Sequence, residues 1–220
     1  YGFALLIRAR TCRRQNTAPT ANPATKPSMS GSIALRFASR HRELACAIVL
    51  VAGAVFQFSS LLSRRAVIPY FLRRPRASSA IVTEVASAAI TLPKMVRRLI
   101  AGSALLRRIA LWPYVLRPAE LTSAAAALIV DGGGAPGVAS TVRAIGQSEV
   151  LGSIDDVGCP ILSIAGDRDL IAPLQDAETL QQQVPRARTV VLEECGHMPM
   201  LERPNALAEQ LTDFVTTSAV

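Results

Sequence analysis

The chain has 220 residues, half of them apolar, which is enough for one domain with a sizeable core and excludes an intrinsically disordered protein. Only 5% of the residues are aromatic, so Ala, Val, Leu and Ile must form most of that core, as in helical and α/β folds. The formal net charge is +8, but the basic pairs lack the interleaved aromatic residues that stack on bases, so nucleic acid is not an expected partner.

The first 27 residues are basic and mostly irregular. They hold at most one strand, in "GFALLIR", and continue as a tract of Thr, Pro, Ala and Arg without a helical or strand period. The segment 1–27 is therefore predicted to be an irregular basic N-terminal segment outside the regular fold.

An amphipathic helix and a buried strand follow. Residues 31–43 have apolar side chains at helical spacing, and "LACAIVLVAGA", residues 44–54, is a continuous apolar run of strand length. Such a run is typical of a parallel strand that is buried on both faces. Because the uncharged run extends to residue 62, a membrane span is the alternative, but its Gly, Gln and Ser residues favour a strand followed by a loop.

Residues 57–145 are predicted to form an inserted helical unit that several prolines divide into short helices. Residues 56–145 carry 12 Lys and Arg against 3 Asp and Glu. We expect this charge to lie on a solvated helical face or to contact an acidic membrane surface.

The remainder alternates strands and helices. "CPILSIAGDRD" and "ARTVVLEECGH" are strands that run into loops, while "DAETLQQQV" and "NALAEQLTDFV" are helices. Strand, helix, strand and helix in succession predict a parallel sheet flanked by helices, an α/β fold whose core comprises 28–56 and 146–220.

Two chemically active side chains follow neighbouring strands of this sheet. Asp169 lies just beyond "ILSIAG", and His197 lies just beyond "TVVLEEC". The carboxyl ends of parallel strands meet at one edge of a sheet, so we expect a carboxylate beside an imidazole. This pair holds a general base in one tautomer and stabilises its protonated form.

The segments "CPILSIAGDRDLIAP" and "GHMPMLERPNALAEQLTDFV" closely resemble the C-terminal third of α/β-hydrolases. The resemblance implies that Asp169 is the acid and His197 the base of a catalytic triad, with Asp167 as the alternative acid. It also implies that the helical insertion 57–145 is a cap over the active site.

"SMSGSIALRFASRHRELACAIVLVAGA" is similar to the nucleophile helix and next strand of the same family. The resemblance implies that Ser28 is the nucleophile and that the Met29 N–H lines the oxyanion hole. Ser30 is the alternative nucleophile, and His41 falls at a surface position. The family motif G-x-S-x-G reads "KPSMS" here, with Lys26 in place of the first glycine, and the upstream strands of the family have no counterpart, as in a truncated or frame-disrupted gene.

Other sites are not expected. The four cysteines lack metal-binding spacing and are expected to be reduced, so neither a metal nor an organic cofactor is required. The segment "GGGAPG", residues 132–137, formally matches a dinucleotide motif after the strand-like "AALIV", but a flexible loop is the favoured interpretation.

The expected function is hydrolysis of an ester or similar acyl bond in a small apolar substrate. The alternatives are a catalytically impaired remnant, a basic membrane-surface binding protein, or a dehalogenase or perhydrolase of the same fold. We expect a cytoplasmic protein, with membrane association through the basic helices as the other possibility.

Overall fold

The computed structural model of the protein describes residues 3–7, 30–56, 69, 72–133, 154 and 156–218. Its strands are β1 (Phe3–Ile7), β2 (Ala47–Val51), β3 (Ile161–Gly166) and β4 (Ala187–Leu192). Its α-helices are α1 (Ser30–Arg40), α2 (Pro75–Ala89), α3 (Lys94–Gly102), α4 (Ala104–Ala110), α5 (Ser123–Asp131), α6 (Leu174–Gln183), α7 (Pro199–Glu202) and α8 (Pro204–Ser218).

The strands form a single sheet in the order β1-β2-β3-β4 within the described residues. Strands β2, β3 and β4 are parallel, with Ile48 opposite Ile161 and Ile161 opposite Ala187. Strand β1 lies antiparallel to β2 and pairs Phe3 with Val51. The α/β prediction is confirmed, and the short strand foreseen in "GFALLIR" forms the antiparallel edge.

The central strands are buried because both faces of the sheet are covered. Every residue of β2 and β3 is buried, as the continuous apolar runs predict. One face packs under α1 and α6 through residues such as Leu35, Ile48 and Leu180. The other packs under α8 through residues such as Val49 and Phe214.

Between β2 and β3 the structure describes helices α2 to α5 and the loops that connect them. Helices α2 to α5, hereafter the inserted helices, are separated by short breaks, one of them at Pro93. The Ser103 and Thr122 side chains accept hydrogen bonds from the first turns of α4 and α5 and so fix where those helices begin.

The segment "AALIV" is helical, as predicted for residues 57–145, although the run taken alone resembles a strand. These residues belong to α5, because its apolar side chains bury one face of a helix in the core of the inserted helices. A dinucleotide motif needs a strand before its glycines, and a helix precedes Gly132. Residues 134–137 lie outside the described part of the chain.

The uncharged run from residue 44 contains strand β2, and residues 57–62 lie outside the described part. Among the helices that the structure describes, none has both the length and the apolar character needed to cross a bilayer.

Gly166, the last residue of β3, lies against the loop that carries His197. A Cβ atom at this position would overlap the carbonyl oxygens of Cys195 and Gly196 and lie 2.8 Å from the Cys195 carbonyl carbon. Since backbone atoms cannot yield as a flexible side chain does, only glycine fits here.

We expect Gly166→Ala to lower the free energy of unfolding by about 1–3 kcal/mol or more, because it forces these two loops apart. Chemical denaturation measures the change. Gly102→Ala is the matched control, since a Cβ there meets nothing within 4 Å. Equal stability of the two variants would contradict the close approach at Gly166.

Candidate active site

The structure brings together two of the residues singled out in the sequence, Asp169 and His197. His197 Nδ1 lies 2.8 Å from Asp169 Oδ2, and both side chains are 1% exposed or less. A carboxylate at this distance accepts the Nδ1–H, so His197 takes the tautomer in which Nε2 carries a free lone pair.

Asp169 is held by its own loop. Its other oxygen, Oδ1, accepts hydrogen bonds from the backbone N–H groups of Ile171 and Ala172, each at 2.8 Å. These bonds leave Oδ2 directed at the imidazole, so the carboxylate has one orientation.

Asp167, the alternative acid, has a different role. Its Oδ1 accepts a hydrogen bond from the Cys195 N–H at 3.0 Å, and its Oδ2 lies 3.2 Å from Arg168 Nε. It therefore ties the end of β3 to the histidine loop, and the geometry assigns the contact with His197 to Asp169.

The second imidazole nitrogen of His197, Nε2, is buried and has no hydrogen-bond partner among the described residues. Buried polar groups rarely lack a partner, and those that do require an explanation. An imidazole fixed at Nδ1 with an open Nε2 can accept a proton from a hydroxyl or a water.

The start of α1 lies at the same edge of the sheet. Gly31 is packed so closely that a Cβ there would lie 3.2 Å from the Ala54 oxygen, and Ser32 Oγ donates to the Val55 oxygen at 3.2 Å. Ala54 and Val55 follow β2 just as the Asp169 loop follows β3. Ser30 begins α1, while Ser28 and Met29 lie outside the described residues.

His41 lies at the other end of α1. Its side chain is about half exposed, with Nδ1 3.9 Å from Glu43 Oε1 and the ring in contact with Phe37. This matches the predicted surface position, far along the helix from Ser30.

Glu202 was not singled out in the sequence, yet its carboxylate joins two segments of the site. Its Oε2 accepts from the Gly196 N–H at 2.8 Å, and its Oε1 accepts from the Leu116 N–H at 2.6 Å. The His197 N–H also donates to the Tyr114 oxygen at 2.9 Å. The histidine loop is thus bonded to the segment between α4 and α5. The sequence did offer one signal for this role, the glutamate in the motif "GHMPMLERP".

Asp176 is a second buried carboxylate that the sequence analysis missed. It lies in the first turn of α6 and accepts hydrogen bonds from the N–H groups of Val55 and Phe56. The Asp176 carboxylate therefore fixes the loop after β2, and it belongs to the helix that follows the Asp169 loop. Nothing in "DAETLQQQV" distinguishes this residue from an ordinary helix-start acid.

Cys195 lies in the histidine loop, two residues before His197, and stays a thiol. Burial, together with the negative charges of Glu202 and Asp169, raises its pKa to about 12. In the described residues, no group of three or more His, Cys, Asp and Glu side chains is placed to hold a metal ion.

Comparison with known proteins shows the family of the chain. The model of the family described as "Alpha/beta hydrolase family" matches residues 28–210. The chain belongs to the alpha/beta hydrolase family. The matched range begins at Ser28 and includes both Asp169 and His197.

Curated relatives include pimeloyl-[acyl-carrier protein] methyl ester esterase of Nitrosomonas europaea, 28% identical over 80% of this chain and 64% of the relative. Monoacylglycerol lipase ABHD6 of Mus musculus is 29% identical over 30% of this chain and 19% of its own. The chain spans less than two thirds of the length of the curated relatives that it matches.

Among solved structures, the enol-lactonase of Burkholderia xenovorans superposes with a TM-score of 0.55 at 20% identity, covering 86% of this chain and 64% of that one. The thermophilic esterase of Thermogutta terrifontis has a TM-score of 0.51 at 16% identity, with coverage of 88% and 64%. At this identity the likeness establishes the fold alone.

Glu202 also predicts a pH dependence of stability. Burial raises its pKa from about 4.5, although backbone N–H groups, chiefly those of Leu116 and Gly196, oppose the shift. Because the folded state binds this proton more tightly than the unfolded state, the free energy of unfolding falls as pH rises from about 4.5 through the raised pKa.

We expect Glu202→Gln to remove this slope in denaturation experiments between about pH 4.5 and 7. It should also cost about 1–3 kcal/mol, because an amide has one acceptor oxygen for two backbone N–H groups. Glu209→Gln, at an exposed glutamate of α8, is the control. If the free energy of unfolding of Glu202→Gln kept the pH slope of the wild type, another group would be the cause of that slope.

Proposed function

We propose that the protein is a serine hydrolase that cleaves an ester or a similar acyl bond with Ser28, His197 and Asp169. The buried Asp169–His197 hydrogen bond, with Nε2 of the imidazole unpartnered among the described residues, is the observation that carries the proposal. The start of α1 at the same sheet edge supports Ser28 as the nucleophile, since it precedes that helix by two residues.

In the proposed reaction, Ser28 Oγ attacks the substrate carbonyl carbon while His197 Nε2 takes its proton. Asp169 keeps the imidazole in the required tautomer and stabilises the imidazolium. The Met29 N–H donates to the oxyanion, a contribution of about 10²–10³ in rate for one such donor. The imidazolium then protonates the leaving alcohol, and a water activated by His197 releases the acid and frees Ser28.

The inserted helices are proposed to belong to a cap, 57–145, that covers this site. Their core includes Ile171 from the Asp169 loop and Met198, which follows His197. Aliphatic residues such as Leu111 and Val115 pack with them. Surroundings of this kind favour an apolar acyl or alcohol group in the substrate.

The Nitrosomonas europaea relative supplies a specific substrate class to test. Its name places a methyl ester on an acyl group carried by acyl-carrier protein. We propose methyl esters of medium-length acyl groups as the first substrates to assay, with methanol release as the readout.

A fluorophosphonate probe tests the nucleophile, because it reacts covalently only with an activated serine. We expect the full chain to be labelled and Ser28→Ala to lose the label completely. Ser30→Ala is the matched control and should retain the label, which also decides between the two candidate serines.

Labelling that persists in Ser28→Ala and disappears in Ser30→Ala would move the nucleophile to Ser30. Absence of labelling in the folded wild-type chain would favour the alternative, a remnant in which Lys26 prevents the nucleophile turn from forming.

Asp169→Asn tests the positioning of the base. We expect about 10⁴-fold lower kcat in ester hydrolysis, because an amide donor facing Nδ1 selects the wrong imidazole tautomer. Asp167→Asn is the control: its amide oxygen can still accept from the Cys195 N–H, so kcat should change little. A larger loss in Asp167→Asn would reverse the assignment of the acid.

A further inference from the structure

The outer surface of α3 and α4 combines exposed aliphatic side chains with basic ones. Met95 and Leu99 of α3 are 75% and 55% exposed, and Leu105 and Ile109 of α4 are 66% and 63% exposed. We call these four residues, together with Lys94, Arg98 and Arg108, the basic apolar face.

Helical spacing arranges the face into two ridges. Met95 and Leu99 are four residues apart, as are Leu105 and Ile109, so each pair lies on one side of its helix. Only Ser103 separates the two helices. The opposite side of α3 contributes Ile100 and Ala101 to the core of the inserted helices, so the exposed ridge is not a continuation of that core.

Residues 94–110 contain five Lys and Arg residues and no Asp or Glu. Two of the cations are used inside the fold. Arg97 pairs with Asp131 at 2.6 Å, and the buried Arg107 donates to the oxygens of Ala101 and Ala119.

The side chains of the other three cations, Lys94, Arg98 and Arg108, form no hydrogen bond or ion pair with a described residue. Lys94 and Arg98 line an open cleft of about 470 Å³ between α3 and α5, beside the Met95 ridge. Unpaired cations next to exposed aliphatic groups match the charge and the apolar interior of an anionic lipid surface.

We propose that the basic apolar face docks the protein on membranes that contain anionic phospholipids. Met95, Leu99, Leu105 and Ile109 enter the boundary between headgroups and acyl chains, while Lys94, Arg98 and Arg108 contact the phosphates. The helices lie on the surface and do not cross it, in agreement with their length.

Other occupants fit this face less well. A second copy would bring three unpaired cations against three others, which repel. Protein interfaces are enriched in aromatic anchors, and the two ridges are aliphatic only. Nucleic acid would leave the ridges exposed to water.

The inserted helices connect this surface to the candidate active site. Their inner side packs on Ile171 and Met198, next to Asp169 and His197 in the chain. Docking would therefore hold the site near apolar substrates dissolved in a membrane. Membrane binding itself does not depend on the proposed hydrolysis, because it uses none of the residues assigned to it.

Co-sedimentation of the full chain with vesicles tests the proposal. We expect binding to vesicles of phosphatidylcholine with about 30% phosphatidylglycerol, weaker binding at high salt, and little binding to phosphatidylcholine alone. The readout needs no catalytic activity, so an inactive enzyme does not confuse the result.

Two double variants separate the charged and apolar contributions. Arg98→Gln with Arg108→Gln should weaken binding about 25-fold, since each cation near an anionic surface contributes about fivefold. Met95→Ser with Leu99→Ser should weaken it about tenfold or more. Arg188→Gln on β4 and Val215→Ser on α8 are matched exposed controls and should bind as the wild type does.

Circular dichroism melts should show that all variants fold, because the changed side chains are exposed. Undiminished binding by the Met95 and Leu99 variant would overturn docking by insertion. Failure to bind anionic vesicles would overturn the membrane as occupant, above all if the chain instead self-associates through this face.

Discussion

The hydrogen bond between Asp169 and His197 is the constraint on which the site depends. Both groups are removed from water, and a carboxylate buried in this way is tolerated only when its oxygens are bonded. Two backbone N–H groups and the imidazole meet that requirement. The pair in turn requires that the loops after β3 and β4 keep one separation, which explains the close packing at Gly166.

Carboxylates hold the other loops around this pair. Asp167 bonds the backbone before the histidine, Glu202 bonds the histidine loop to the segment between α4 and α5, and Asp176 bonds the loop after β2. Each accepts hydrogen bonds from backbone N–H groups, so these contacts position the chain where no regular ladder continues. These bonds therefore hold the inserted helices and the sheet in fixed positions around His197.

Much of the fold could be predicted because the patterns are local. The continuous apolar runs at β2 and β3 predict buried parallel strands, and the acid and histidine just beyond two strands predict their meeting at one edge. "AALIV" taken alone is ambiguous, because a short apolar run suits either a strand or a buried helix. Glu202 and Asp176 were missed because their partners are backbone groups up to 121 residues away in the chain.

The sequence by itself determined the parallel sheet and the family resemblance, and it placed an acid and a histidine just beyond two neighbouring strands, since strand-end position and motif spacing are carried by neighbouring residues. Only the tertiary structure decided that Asp169 and not Asp167 contacts His197, because the choice depends on where two loops from different strands approach each other. It also decided which basic side chains form ion pairs within the fold and which stay at the surface. The pairing of Arg97 with Asp131, for example, depends on the packing of α3 against α5.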